Sequence, residues 1–289
     1  MKQAFTLGIG LLALAGAALP AAAADLGRAP PPLVAPAVAV DDWSGFYVGL
    51  GLGGRWTDTT WATTCLIPFA NTCANNAFAT RFATDNPSQF DMSGVRVSGY
   101  LGYNWQFGSW LVGVEGDFGW ADNKETHRGI PGTFLLANLA ALTDTATIED
   151  KWDASIRGRL GWVATPQLLL YATGGISWLE KEITASCAPP GFPVGWCAFV
   201  PQSESVSRTY VGWTVGGGFE WKLTRQWLVR GEYRYTDYTD DTSGFRFFGG
   251  GLGDTIDFRV DQKTHTALLG VTYLFNFAPE AVAPPVIRK

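Results

Sequence analysis

The chain offers two histidines and four cysteines as its most reactive side chains. A hydrolytic site needs a serine within hydrogen-bond reach of a histidine, with an acid beyond it. His265 has Thr264 and Thr266 as neighbours, and His127 falls in a long segment without strand pattern, so no such set is legible. Cys65 stands close to Cys73, and Cys187 close to Cys197, with no histidine near either pair. That spacing argues against zinc. Passage through an oxidising compartment favours disulfides instead. Three connectivities are possible, and the pairs Cys65–Cys73 and Cys187–Cys197 are favoured because each closes within one loop. Asp237, Asp240 and Asp241 form an acidic cluster of the kind that binds divalent cations, although a solvated strand end explains it as well and is preferred. The sequence therefore predicts no catalytic residue, no cofactor and no metal site.

The larger set of chemically active groups is ionic. Arg96, Glu115, Asp117, Arg157, Arg159, Glu220, Lys222, Arg230, Glu232 and Arg234 recur within stretches that otherwise alternate apolar with small or polar residues. Alternation with period two marks a strand with two unlike faces. In the segment 227–240, Trp227, Val229, Gly231, Tyr233 and Tyr235 share one face, opposite Arg230, Glu232, Arg234 and Thr236. In 151–164, Trp152, Ala154, Ile156, Leu160 and Trp162 oppose Asp153, Ser155, Arg157 and Arg159. His265 falls on the same face as Ala267, Leu269, Val271, Tyr273, Phe275 and Phe277.

Eight such segments are predicted, over 46–56, 93–107, 110–121, 151–164, 168–181, 208–222, 227–240 and 259–277. Short connections at Gly108-Ser109, Thr165-Pro166-Gln167 and Leu223-Thr224-Arg225-Gln226 read as hairpin turns. They alternate with long connections over 57–92, 122–150, 182–207 and 241–258, read as loops. Short turns at one end and long loops at the other is the transmembrane barrel pattern, with the long loops outside and both termini in the periplasm. A soluble sandwich or lipocalin-like barrel also alternates, but points its apolar face inward. Here the face opposite the charges is banded. Phe46, Trp105, Trp110, Trp162, Trp221, Trp227 and Phe277 lie near the short turns, and Trp56, Trp120, Trp152, Trp178 and Tyr235 near the loops, with aliphatic residues between. Indole rings prefer the headgroup zone, so two aromatic bands mark two bilayer interfaces. The expected fold is all-β, an eight-stranded antiparallel transmembrane β-barrel of up-and-down topology.

The ends agree with export. Lys2, an apolar run from Phe5 to Leu19, and Ala22 and Ala24 as an A-x-A site read as a signal peptide over 1–24. Residues 25–41 form a Pro/Ala-rich periplasmic leader, 42–277 the barrel and 278–289 a Pro-rich tail. Removing the signal segment takes away Lys2, so 21 basic and 26 acidic residues become 20 and 26, a net charge of −6 that argues against nucleic acid as a partner. With 35 Gly, 13 Trp and only 16% charged residues in 289, the composition suits a lipid-facing sheet better than a soluble domain. No stretch after the signal segment is apolar enough for a membrane helix.

Asp42-Trp43-Ser44-Gly45-Phe46-Tyr47-Val48-Gly49, Leu170-Tyr171-Ala172-Thr173-Gly174-Gly175, Gly212-Trp213-Thr214-Val215-Gly216-Gly217-Gly218 and Val229-Arg230-Gly231-Glu232-Tyr233-Arg234-Tyr235 together carry a resemblance. Over 42–277 the chain resembles the alphaproteobacterial porin-family barrels known as outer-membrane immunogenic proteins or major surface antigens. The resemblance implies an eight-stranded outer-membrane barrel with antigenic loops, a contribution to envelope integrity, assembly by the barrel-insertion machinery, and no catalytic residues. Such barrels usually end on an aromatic residue, whereas here Phe277 is followed by twelve more.

Eight strands enclose a space just wide enough for side chains. The charged faces must therefore meet inside and pair, since an unpaired buried ion costs several kcal/mol. The expectation is a cross-strand network joining Arg157, Arg159, Arg230 and Arg234 to Glu115, Asp117, Glu220 and Glu232, which plugs the barrel. Three functions compete: an envelope-stabilising surface protein packed in outer-membrane lipid and lipopolysaccharide, a narrow channel suggested by basic excess inside, and adhesion through the loops.

Overall fold

The computed structural model describes residues 42–67, 87–131, 144–187, 202–247 and 254–275. They form β1 (Gly45–Ile67), β2 (Ser88–Phe107), β3 (Trp110–Arg128), β4 (Thr145–Thr165), β5 (Leu168–Cys187), β6 (Gln202–Lys222), β7 (Trp227–Phe247) and β8 (Asp254–Phe275). Each strand pairs antiparallel with its sequence neighbour, and β8 returns to β1, closing the barrel. Closure removes free sheet edges, the requirement for strands that cross hydrocarbon. The three tight turns fall between Phe107 and Trp110, Thr165 and Leu168, and Lys222 and Trp227. Gly108 supplies a φ of +63°, which the two-residue turn from β2 to β3 requires.

The long connections are shorter than the sequence pattern indicates. Much of what reads as loop is strand: β1 continues to Ile67, β3 to Arg128 and β5 to Cys187, while β4 begins at Thr145. The physical reason is an inversion of faces. In the lower half the outward residues are apolar, as with Leu50, Leu52, Val97, Leu101, Val112, Ile156 and Leu160, and the inward ones are charged. Beyond Trp56 and Trp120 the alternation persists with opposite chemistry. Asp58, Asp91, Lys124 and Asp261 then face outward, while Trp61, Phe90, Ile148 and Phe258 are buried. A bilayer solvates the first pattern and water the second, so the strands outlast the membrane.

This upper part is also differently paired. Among the described residues the β2–β3 ladder stops at Arg96 and Ala121, and the β6–β7 ladder at Gly212 and Tyr238. By contrast, β1 stays paired with β2 up to Trp61 and Ser88, β3 with β4 up to Arg128 and Thr145, and β5 with β6 up to Cys187 and Gln202. The cylinder therefore opens along two seams into two sheets, β7-β8-β1-β2 and β3-β4-β5-β6. Trp61, Phe90, Met92, Phe258 and Val260 of the first sheet pack against Ile130, which follows β3, and Ala146, Ile148, Ile183 and Ala185 of the second, forming a sandwich core over the barrel mouth.

Strands cross closely where side chains are missing. A Cβ on Gly53 would lie 1.9 Å from the Ala267 carbonyl oxygen and 2.8 Å from the Leu268 Cα, both backbone atoms that cannot rotate away. On Gly116 it would meet nothing nearer than 3.8 Å. Gly53→Ala is expected to destabilise the barrel by about 1–3 kcal/mol, the usual range for overpacking, and Gly116→Ala to leave it unchanged. Urea midpoints of the folded, heat-modifiable band on gels measure both.

Candidate functional site

The interior has three layers. At the turn end Trp43, Tyr47, Leu111, Leu169, Leu228 and Leu274 form a buried apolar cluster. Trp43 precedes β1 and is held inside by its backbone: its N–H donates to Gln106 Oε1 at 2.7 Å, and the Gln106 N–H donates to Ser44 Oγ at 3.0 Å. Lys222 covers the indole, its Nζ lying 4.2 Å from the ring centroid and 3.3 Å from the Asp42 carbonyl oxygen. The sandwich core closes the opposite end.

Between them lies the charge layer. Arg157 meets Glu232 at 2.6 Å and also pairs with Glu115; Arg230 pairs with Glu115 and meets Glu220 at 2.9 Å; Arg159 meets Glu220 at 2.8 Å. Arg234 bridges Asp117 at 3.0 Å and Glu232 at 2.9 Å. From Asp117 the chain of ion pairs runs through Arg96 (2.8 Å) to Asp153 and on through Arg55 (3.1 Å from Asp153) to Asp150 at 3.3 Å. All these residues are buried. Tyrosines add hydrogen bonds to the carboxylates: Tyr47 Oη donates to Glu115 at 2.7 Å and Tyr171 Oη to Glu232 at 2.8 Å. Tyr171 also stacks beneath the Arg159 guanidinium at 3.9 Å, and Tyr100 beneath Arg230 at 4.2 Å.

Arg55, Asp150 and Asp153 were not in the expected set. Asp153 sits on the inward face of β4 already noted, but Asp150 breaks the alternation. A bulge between Asp150 and Trp152 lets both aspartates point inward on one strand. With them, arginines 55, 96, 157, 159, 230 and 234 face the six carboxylates 115, 117, 150, 153, 220 and 232. The connected network is thus neutral, and the basic excess counted from the sequence disappears from it. Among the described residues two lysines are buried: Lys222 lies at the turn end, and Lys181 stands in register with Asp150 at the outer end of the network, its Nζ 5.2 Å from the Tyr210 ring.

The outer surface carries the aromatic residues. Trp56, Trp105, Trp110, Trp120, Trp162, Trp221 and Trp227 are each exposed, and Trp152, Trp178 and Tyr235 partly so, all on the outward face. Phe277 lies outside the described residues, as do the segments 1–41 and 278–289. So do Cys73, Cys197 and the side chains of Cys65 and Cys187, whose backbones fall on β1 and β5, and the side chains of Asp240 and Asp241. His127 belongs to β3 and not to a loop: its ring stacks on Phe90 with centroids 4.0 Å apart, and Nε2 lies 3.5 Å from Glu125 Oε1. His265 faces outward on β8 and shares a 2.6 Å hydrogen bond with Tyr233 Oη. Beyond the loop-end aromatics, Lys151 bridges Glu149 at 2.6 Å and Glu182 at 2.8 Å; its hydrogen bond holds the Glu149 carboxyl below the ordinary range.

Chemically this interior is a cross-link between strands. Arginine does not give up its proton in proteins, and the carboxylates are occupied by arginines, so the layer binds strand to strand through charge-assisted hydrogen bonds.

Comparison with known proteins matches residues 9–275 to a model of the outer membrane protein β-barrel domain. The chain is 28% identical over 252 residues to a 31 kDa outer-membrane immunogenic protein of Brucella melitensis, covering 84% of this chain and 88% of that protein. It is 26% identical over 255 residues to a 25 kDa outer-membrane immunogenic protein of Brucella canis, covering 88% and 90%. Among solved structures, OprG of Pseudomonas aeruginosa aligns with a TM-score of 0.47 at 12% identity, over 81% of this chain and 97% of that one. A closed ring of eight antiparallel strands and a family match over most of its length agree: the chain belongs to the outer membrane protein β-barrel domain family.

Proposed function

We propose that the protein is a non-conducting, non-enzymatic surface barrel that stabilises the outer membrane. The observation that carries this reading is the interior filled from end to end, with an apolar layer at the turn end, a neutral ion-pair layer and an apolar sandwich core. A solid wall of this kind is stiff and leaves its working surfaces outside, where lipid and lipopolysaccharide pack against the apolar band.

In this reading residues 1–24 are removed on export, the barrel-assembly machinery inserts the barrel, and the turns and both termini face the periplasm. The sandwich and its connecting loops stand outside the cell, braced by bridges within the pairs Cys65–Cys73 and Cys187–Cys197. A strain lacking the protein is expected to leak periplasmic enzyme and to be sensitive to detergent, both restored by the wild-type chain. An intact envelope in that strain overturns the role. Orientation is read separately: an epitope placed between Ala188 and Pro201 is expected to be cleaved by protease added to whole cells.

A further inference from the structure

The outer wall has a hollow where β6, β7, β8 and β1 adjoin, a cavity of about 530 Å³. It exists because glycines replace outward side chains. The Trp56 indole folds towards Gly54, where a Cβ would lie 2.8 Å from the ring, and the Phe219 ring lies across Gly231, where it would lie 2.5 Å away. Leu52, Tyr233, Ala267 and Leu269 also line it. Its volume falls in the usual small-ligand range. The surroundings fix the kind of occupant, because Trp56, Tyr235 and His265 are paired across β1, β7 and β8 at the loop-end aromatic band, and Ala267 is two residues deeper. Only acyl chain is present at that depth.

What stands above the hollow is polar and specific. Tyr233 lines it and hydrogen-bonds His265 Nδ1 at 2.6 Å. Lys263, two residues further out on β8, is exposed and has no ion pair among the described residues. It lies roughly 13 Å from Ala267 at ~3.3 Å per residue, the place to which a lysine extends towards lipid headgroups. Asp58 and Asp237 stand in register on either side of it and offer acceptors to hydroxyl groups. A second, smaller hollow is lined by Phe46, Leu101 and Ile156, and Lys151, further out on β4, is already paired with Glu149 and Glu182.

We propose that the hollow is a binding site for one phosphorylated glycolipid of the outer leaflet. An acyl chain lies over Gly54, Gly231 and Ala267, a phosphate reaches Lys263 and His265, and sugar hydroxyls donate to Asp58 and Asp237. The inference rests on the proposed orientation, which places this end outside.

The test uses the full chain refolded in zwitterionic detergent micelles and titrated with bisphosphorylated lipid A, with its dephosphorylated form, and with inorganic phosphate. Native mass spectrometry counts what is retained. One lipid A per barrel is expected, weakened about tenfold by Lys263→Glu, as for the loss of one contact to a charged group. Ala267→Trp, which fills the hollow, should abolish retention, and Leu101→Trp at the smaller hollow should leave it unchanged. Lys263→Gln serves as a second variant should Lys263→Glu not fold. Equal retention of the dephosphorylated form overturns the proposal. So does phosphate binding that Ala267→Trp does not accompany with loss of lipid, no retention at all, or a dimer of the chain that Ala267→Trp dissociates. Micelles have no sidedness, so this result stands apart from the whole-cell protease result that tests orientation.

Discussion

Glu115→Leu is expected to abolish the heat-modifiable folded form or to leave a small fraction of it. Glu115 is fully buried and pairs with both Arg157 and Arg230, while Arg159 lies 4.0 Å away and Tyr47 donates to it. Removing it strips Arg157 of one partner and leaves a net positive charge in a layer that was neutral. Breaking a buried pair by deleting one member costs about 3–5 kcal/mol, because the abandoned charge stays desolvated. That is a large part of the roughly 5–15 kcal/mol by which a protein is stable. Glu115→Gln keeps an acceptor for Tyr47 and should fall between. Combining Glu115→Leu with Arg230→Met should recover part of the loss, since the pair is removed as a unit. Urea refolding midpoints read all three. If Glu115→Leu folds as well as wild type, the ion-pair layer does not hold the strands together.

Trp61→Ala should act elsewhere and otherwise. Trp61 is fully buried in the sandwich core, with ring centroids 4.7 Å from Phe258 and 6.1 Å from Phe90. Truncating a buried tryptophan costs about 3–5 kcal/mol. The two sheets there share no ladder along the seams, so the loss is expected to open them locally while the membrane band stays closed. Amide exchange should then rise across the outer ends of β1, β2 and β8 and stay slow from Tyr47 to Leu52. Exchange rising evenly along β1 would mean that the outer core is not a separate layer.

These two sites differ in how far the sequence exposes them. The turns at Gly108-Ser109 and Thr165-Pro166-Gln167, the faces of Arg157 and Arg159 and the tryptophan bands follow from period two alone. Glu115 is found the same way, as a carboxylate on a face that must close on others. Trp61 is not, because the rule that apolar means outward holds only within the bilayer, and past Trp56 the same alternation carries the opposite meaning. Thr57, Thr59 and Thr63 then read as loop although they continue the inward face of β1. Asp150 was hidden by a bulge, which shifts parity without a glycine or proline to announce it. Trp43 was legible only as part of a motif, since its burial depends on Gln106, 63 positions away.

The claim on which the proposed function rests is that the lumen is solid. Purified wild-type protein, folded and inserted in planar lipid bilayers, is the most direct test. No conductance steps above the lipid baseline are expected under voltage, and none after reduction of cysteines, because the layers around Trp43, Glu115 and Trp61 block the axis without the loops. Reproducible steps from the folded, heat-modifiable species would contradict the account and make the charge layer the lining of a pore.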